Sequence, residues 1–157
     1  MNDAINSLDE LDFSILSHLQ KDGRMSFTVI AKETGASIST IRTRVTKLIE
    51  DGTINIIGRV SPEKIGFNAY ASIKIAVRPG NKIDYVAEQL LKYREVSFLA
   101  LVSGDFDMEV DVMCRDNEHL IEVINKRISS IDGVHKTSAN LYLKVLKFAQ
   151  PDLNLLK

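Results

Sequence analysis

A single cysteine, Cys114, occurs in the 157 residues. One thiol cannot close an internal disulfide, and its strand-like setting, VDVMCRD, suits a small half-buried side chain better than a reactive thiol. Long apolar runs are missing too: none approaches the roughly twenty residues needed to cross a bilayer. The opening MNDAINSLDELD is acidic where a secretion signal would be basic and then apolar, so the expectation is a cytoplasmic chain with no membrane partner. Histidine is scarce and scattered: His18 falls on an early helix, His119 at a later helix start and His135 at a strand start, without metal-ligand spacing. No Ser/His/Asp or Cys/His arrangement and no glycine-rich phosphate loop is visible, so no catalytic residue, metal or cofactor is expected and the chain reads as a non-enzyme. An excess of positive charge is lacking as well, with 20 Lys and Arg against 21 Asp and Glu, a formal net charge of -1 and a pI near 6.3. Dedicated nucleic-acid binders are often basic overall, so any docking on nucleic acid must come from a local field, strengthened by a dimer or larger array that adds half-sites.

What is present is globular: 45% hydrophobic and 26% charged residues, enough for one domain of usual size or two small ones. The stretch SFTVIAKETGASISTIRTRVTKLIEDG, residues 26–52, reads as two short helices joined by a tight turn. Ser26 caps the first, which places Phe27, Ile30 and Ala31 on one face; Gly35 turns the chain, and Ser37 or Ser39 caps the second. In the second helix Ile41, Val45, Leu48 and Ile49 form one stripe, leaving Ser39, Thr40, Arg42, Thr43 and Lys47 opposite. That outer side carries hydroxyls and cations with no carboxylate before Glu50, a surface suited to phosphates and base edges, as a helix-turn-helix places in the major groove of double-stranded DNA. An ordinary helical hairpin with a solvated face is the plain alternative. The candidate DNA-binding set is Ser37, Ser39, Thr40, Arg42, Thr43, Arg44 and Lys47, with Arg42 and Arg44 on the backbone; Arg44 has the alternative of pairing with an acid of its own domain.

Upstream, Ser7-Leu8-Asp9-Glu10 fits a capping box that opens a helix with Leu11, Ile15 and Leu19 on its apolar face and Gly23 at its end. Residues 1–52 therefore read as a three-helix helix-turn-helix domain. Residues 53–60 are β-branched and read as a strand, and residues 53–67 as a strand and linker. Residues 68–157 then follow the order strand, helix, strand, strand, helix, strand. The first strand, residues 69–78, alternates Ala71, Ile73, Ile75 and Val77 with Tyr70, Ser72, Lys74 and Arg78. A helix buries Ile83, Val86, Ala87, Leu90 and Leu91; a second strand, residues 96–103, is apolar on both faces and reads as well covered. Gly104-Asp105 allows a tight hairpin into a third strand, residues 106–114, where Asp107, Glu109 and Asp111 alternate with apolar residues. A last helix uses Leu120, Ile124, Ile128 and Ile131, and a long strand covers residues 134–148. The fold class is α+β: a helix-turn-helix domain joined by a strand linker to a ferredoxin-like βαββαβ sandwich, with both helices on one sheet face. The open face would carry Tyr70, Leu99, Leu101 and Tyr142 or their alternates, a mixture that suits packing against a second copy. Across strands, Lys74 and Arg78 are placed to face Asp107, Glu109 and Asp111. The tail after Pro151 carries Leu153, Leu155 and Leu156, which would either dock on a partner subunit or fray.

LDELDFSILSHLQKDGRMS, ASISTIRTRVTKLIEDGTI, SPEKIG and VSGDFD occur in that order, and with them the chain resembles the Lrp/AsnC family over essentially its full length. Arg44, Val45, Leu48, Glu50, Gly52 and Ile54 match that family's RVxxLExxGxI pattern. The resemblance implies a transcriptional regulator with an N-terminal helix-turn-helix. It also implies a ferredoxin-like domain that forms a homodimer and a higher oligomer such as an octamer, often with an amino acid effector between subunits. It carries an effector role to Ser103, Gly104, Asp105, Phe106 and Asp107 of the hairpin and to Thr137 and Ser138 beside it. Carboxylates attract an α-ammonium group, while amides and hydroxyls suit an α-carboxylate, so the chemistry is coherent; a plain acidic turn is the alternative. The chain departs from the family at Ile38-Ser39-Thr40, where many members have proline and small residues, and at Val29, where a carboxylate is frequent.

Two other functions use the same scaffold. The sirohaem decarboxylases look similar, but such an enzyme needs a basic, histidine-bearing pocket. An effector-sensing partner subunit without DNA binding is opposed by the cation-rich helix. A metal-binding row at Asp107, Glu109 and Asp111 would lack a neighbouring His or Asn.

Overall fold

Amide donors at a helix start need acceptors, and in the first helix, α1 (Glu10–Lys21), Asp9 supplies one. In this computed structural model its carboxylate accepts the Asp12 amide at 2.9 Å, and the Asp12 carboxylate accepts the Asp9 amide at 3.2 Å. The cap is therefore this aspartate pair; Ser7, expected to begin the box, lies outside the described residues, 8–156. Helix α2 (Phe27–Thr34) is capped by Ser26, whose side chain accepts from Val29, and Gly35 at φ 70° ends it. Helix α3 (Ile38–Glu50) is capped by Ser37, whose oxygen accepts the Thr40 amide at 3.1 Å. Ile15, Ile30 and Ile41 are fully buried where the three helices meet, with Leu16, Leu19, Ala31, Val45 and Leu48 around them. Ile49, expected in the same stripe, is 45% exposed. At about 100° per residue it lies some 80° around the helix from Ile41, past the edge of the packed face.

The chain divides into two units, Met1–Arg59 with Lys147–Lys157, and Val60–Leu146. The division groups the C-terminal segment with the helices, whereas residue pattern placed it with the second domain. Within the helical unit Leu153 packs against the helix core, and a short 3-10 turn, Leu153–Leu156, ends the described chain. Residues 53–60 form no strand in this chain, in contrast to the expectation. β-branched composition favours extended backbone, but a strand also needs a hydrogen-bonded neighbour, and Ile57 stands 81% exposed.

The second unit is a four-stranded sheet in the order β2-β3-β1-β4, with each neighbouring pair antiparallel. Its elements follow as β1 (Ala69–Val77), α4 (Ile83–Leu90), β2 (Val96–Leu101), β3 (Met108–Cys114), α5 (Asn117–Glu122) and β4 (Val134–Leu141). This is the ferredoxin-like βαββαβ arrangement expected from the alternation of elements. Ala71, Ile73 and Ile75 of β1, and Met108, Val110, Val112 and Cys114 of β3, are fully buried with Val86 and Leu90 of α4 and Val123 and Ile128 after α5. After α5 the helix widens into a π turn, Val123–Ile128. The wider turn brings Val123 and Ile128, five apart, into the core and leaves Ile124 partly covered, in place of the even four-residue spacing expected.

Strand β2 is an edge strand and is not covered on both faces: Phe98 is 52% and Leu101 66% exposed. Its register pairs Leu99 with Val110 and Leu101 with Met108, on the helix side, so the open face carries Phe98 and Ala100 beside Asp111 and Glu109. Leu91, placed in the α4 stripe by spacing, lies just beyond the helix and is exposed. Strand β4 stops at Leu141, and residues 142–150 are irregular. The buried side chain of Ile73 has no solvent route to relax into. Ile73→Ala should destabilise the sheet unit by about 2–5 kcal/mol, seen as a lower urea midpoint with an unchanged slope.

Candidate functional site

Two polar links hold the helical unit. Arg44 of α3 reaches α1, where one guanidinium nitrogen lies 2.8 Å from Asp9 and 2.9 Å from the Asp12 carboxylate. Asp12 is only 4% exposed, so its charge needs this partner. The Asp12 amide, followed by the Arg44 charge, holds the Asp9 carboxyl below the usual carboxylate range, and the two acids raise Arg44 further. Arg44 thus pairs with acids of its own domain, and its guanidinium is engaged there.

The second link is His18 of α1, with Nδ1 2.6 Å from the Ser14 carbonyl oxygen and Nε2 2.6 Å from the Glu33 carboxylate of α2. Both ring nitrogens face acceptors, so the doubly protonated imidazolium satisfies both and a neutral tautomer only one. The Ser14 carbonyl first, then Glu33, raises the His18 pKa above the ordinary 6.5.

With Arg44 turned inward, α3 presents Ser39, Thr40, Arg42, Thr43 and Lys47, all exposed, together with Thr46, which fits the same face and was not singled out. The hydroxyls cluster at the helix start: Ser37 Oγ lies 2.8 Å from both Ser39 Oγ and Thr40 Oγ1, and Thr43 donates to the Ser39 carbonyl at 3.1 Å. Exposed hydroxyls at a helix N-terminus offer donors to anions and base edges alike.

The second set of candidates gathers around the β2–β3 connection. Val102 donates its amide to the Asp107 carbonyl at 3.0 Å, Gly104 takes φ 120°, and Ser103, Gly104 and Asp105 are exposed at the tip. Asp107 is anchored on β1: its amide donates to Ile75 at 3.0 Å and its carboxylate accepts the Val77 amide at 2.8 Å. Thr137 of β4 lies opposite Ile75 on the other side of β1, with its hydroxyl 3.5 Å from that of Ser129. Phe106 has Lys136 Nζ at 5.5 Å from its ring centroid, a contact of β4 with the hairpin that residue pattern did not reveal. The structure therefore brings Phe106, Asp107, Lys136 and Thr137 to one end of the sheet. Ser138 pairs with Lys74 and belongs to the opposite face from Thr137.

On the open face Lys74 stands opposite Glu109 across the strands, as expected, but the hydrogen bonds to the acids come from hydroxyls. Tyr70 donates to Asp111 at 3.0 Å, Tyr142 to its other oxygen at 3.2 Å, and Ser72 to Glu109 at 2.6 Å. Hydroxyls on the same face reach these carboxylates with fewer rotors to fix than lysine or arginine. Burial first, then Asp111, pushes the Tyr70 hydroxyl up to about 12 and raises Tyr142 in the same direction. Cys114 is fully buried, beyond the half-burial expected, and burial pushes its thiol up to about 11.

Residues 8–55 match the winged helix-turn-helix DNA-binding family model, and residues 69–151 match the Lrp/AsnC ligand-binding domain. The chain belongs to the Lrp/AsnC family. Among its relatives, the HTH-type transcriptional regulator FL11 of Pyrococcus furiosus is 38% identical over 141 residues, 89% of this chain and 92% of that protein. The HTH-type transcriptional regulator LrpA of Pyrococcus horikoshii is also 38% identical, over 89% of this chain and 99% of its own length. The E. coli AsnC structure superposes with a TM-score of 0.85 at 27% identity, covering 92% of this chain and 97% of that one. A Neisseria meningitidis transcriptional regulator solved as an L-Met complex shares the fold, with a TM-score of 0.87 at 23% identity over 96% of this chain and 100% of its own. As an Lrp/AsnC protein the chain is a DNA-binding transcriptional regulator with a ligand-binding domain, not an enzyme. Among the described residues, no helix is long and apolar enough to cross a membrane.

A raised folded pKa at His18 contributes stability in full below the unfolded value of about 6.5, and that contribution is lost as pH rises through the folded value. As pH rises above about 6.5 and through the raised folded value, the wild type should lose thermal stability relative to His18→Gln. The His18 ring-proton shift in an NMR titration should report the raised midpoint directly.

Proposed function

We propose that this regulator reads operator DNA with the outer face of α3 and that its oligomer responds to an amino acid bound at the hairpin end of the sheet. The observation that carries the reading is the division of labour on α3: Arg44 is held by Asp9 and Asp12, while Ser39, Thr40, Arg42, Thr43 and Lys47 stand exposed with no carboxylate among them. Ser39, Thr40 and Thr43 address base edges or phosphates, Lys47 and Arg42 the phosphate backbone, and Ser37 serves the helix start. Arg44 acts as a positioning residue rather than a direct contact.

At the hairpin, Asp105 draws the α-ammonium group of the effector, and exposed loop amides around Gly104 with the Thr137 hydroxyl receive its α-carboxylate. Asp107, already bonded to Val77, shapes the loop, and Phe106 with Lys136 borders it. The effector is the small molecule required; no metal or prosthetic cofactor enters. The working form is a cytoplasmic homodimer, with a higher oligomer such as an octamer built from it. Its interface draws on the open sheet face, where Phe98 and Tyr142 flank the Tyr70–Asp111 hydrogen bond, and on the exposed β-branched residues 53–60, which gain the strand partner they lack.

The test is a gel shift on the protein's own upstream DNA across a salt series, with and without single amino acids. Lys47→Ala should weaken binding to all sequences and lower the slope of log affinity against log salt by about one; an unchanged slope removes Lys47 from the interface. One amino acid should alter the wild-type shift, and Asp105→Ala should abolish that alteration. A response that survives Asp105→Ala and Thr137→Ala alike places the effector elsewhere.

A further inference from the structure

The C-terminal segment is built onto the helical unit, not left loose. The chain leaves that unit after Arg59 and re-enters it at Lys147. Directly beside these two crossing points, the Arg59 guanidinium carbon sits 3.6 Å over the centroid of the Phe148 ring. A cation over an aromatic face is attracted by the ring's quadrupole, so the outgoing and returning segments are clasped where they pass. Three residues further on, the Pro151 carbonyl accepts the Gln20 side-chain amide of α1 at 2.8 Å. Leu153 then packs against the cluster that contains Ile15, Leu19 and Leu48. The segment carries its own stop: the Asp152 carboxylate accepts the Asn154 amide at 3.0 Å, and the Asp152 carbonyl accepts the Leu155 amide at 3.1 Å. Pro151 fixes its own φ just before this turn.

These contacts are specific and involve Gln20 of α1, the helix core and Arg59 at the chain's exit from the helical unit, none of them among the exposed residues of α3. We propose that residues 147–156 are a positioning element of the DNA-binding module, a second chain connection between the helix-turn-helix unit and the sheet unit, clasped beside the first. A module on one linker samples a wide volume, and its effective concentration at a second half-site is spread over many spacings; a second tether removes part of that freedom. The paired modules of a dimer are thereby restricted to a narrow range of half-site separations. Leu153 and Phe148 are positioning residues, acting through α1 and Arg59 without touching DNA.

This inference rests on the dimer of the proposed function, and the experiment separates the two. Full-length wild type, Phe148→Ala, Leu153→Ala, Leu153→Met and a chain ending at Ala149 are titrated against duplexes whose two half-sites are moved apart one base pair at a time. Light scattering gives the oligomeric state, and circular dichroism the helix content, of each. Wild type should show a sharp optimum in spacing. Phe148→Ala, Leu153→Ala and the shortened chain should lose on the order of tenfold at that optimum while keeping their affinity at neighbouring spacings, so that the profile flattens. Leu153→Met should retain the sharp profile, since methionine fills the same apolar volume. Profiles that stay as sharp as wild type overturn the proposal, and so does a uniform loss at every spacing, which assigns the segment to stability alone. Phe148, 60% exposed, can be truncated without opening the core, so this variant decides the matter if the shortened chain loses helix content. A wild type that is monomeric or indifferent to spacing overturns the dimer reading instead.

Discussion

The helical unit depends on one buried charge. Asp12 cannot sit among Ile15, Leu16 and the α3 stripe without a cation, and Arg44 is the residue that reaches it. Asp9 serves both partners, capping α1 through the Asp12 amide and taking the remaining reach of Arg44. The axis of α3 is thus tied to the start of α1 by a charge that has no favourable place elsewhere. Because that tie uses the inward arginine, the outward cations and hydroxyls are left for a partner. The His18–Glu33 contact adds α2 to the same frame. Three short helices with a small core gain from such directional links, since apolar packing alone specifies crossing angles loosely.

The sheet unit solves a different problem. Its helix-covered face is dry and apolar, while its other face holds carboxylates that must be satisfied without a layer above them. Tyr70, Tyr142 and Ser72 do this, and the cost is a pair of phenols whose own ionisation is pushed upward. The satisfied acids leave a face that is polar in groups but quiet in net demand. The exposed Phe98 supplies apolar area beside them, a surface that a second sheet can cover.

Alternation and helical spacing made the order of elements legible, because each reports one buried face and both units have one. Boundaries that depend on neighbours were not legible. Residues 53–60 have strand composition and no strand, since composition does not say whether a hydrogen-bonding neighbour exists. The π turn at Val123 hides behind an evenly spaced Leu120, Ile124, Ile128 series that a regular helix would also produce. For the site, the outer residues of α3 were readable from the missing carboxylates, but the inward turn of Arg44 required knowing that Asp12 is buried. Thr137 and Ser138 looked like one polar pair; in a strand adjacent residues point to opposite faces, and the register puts Ser138, across from Lys74, on the open face and Thr137, across from Ile75, on the helix side. Lys136 against Phe106 and Arg59 against Phe148 join residues far apart in the chain, and no local pattern encodes such meetings.

Cys114, enclosed between sheet and helices with its thiol held protonated, has a practical corollary. The native chain is silent toward maleimides and other thiolate-seeking dyes while folded. A cysteine introduced at any exposed position becomes the sole reactive handle, so fluorophores or spin labels go onto chosen helices without removing the natural residue. Reaction of Cys114 itself, in turn, marks the moment the sheet opens, which makes the wild-type chain its own chemical reporter of unfolding.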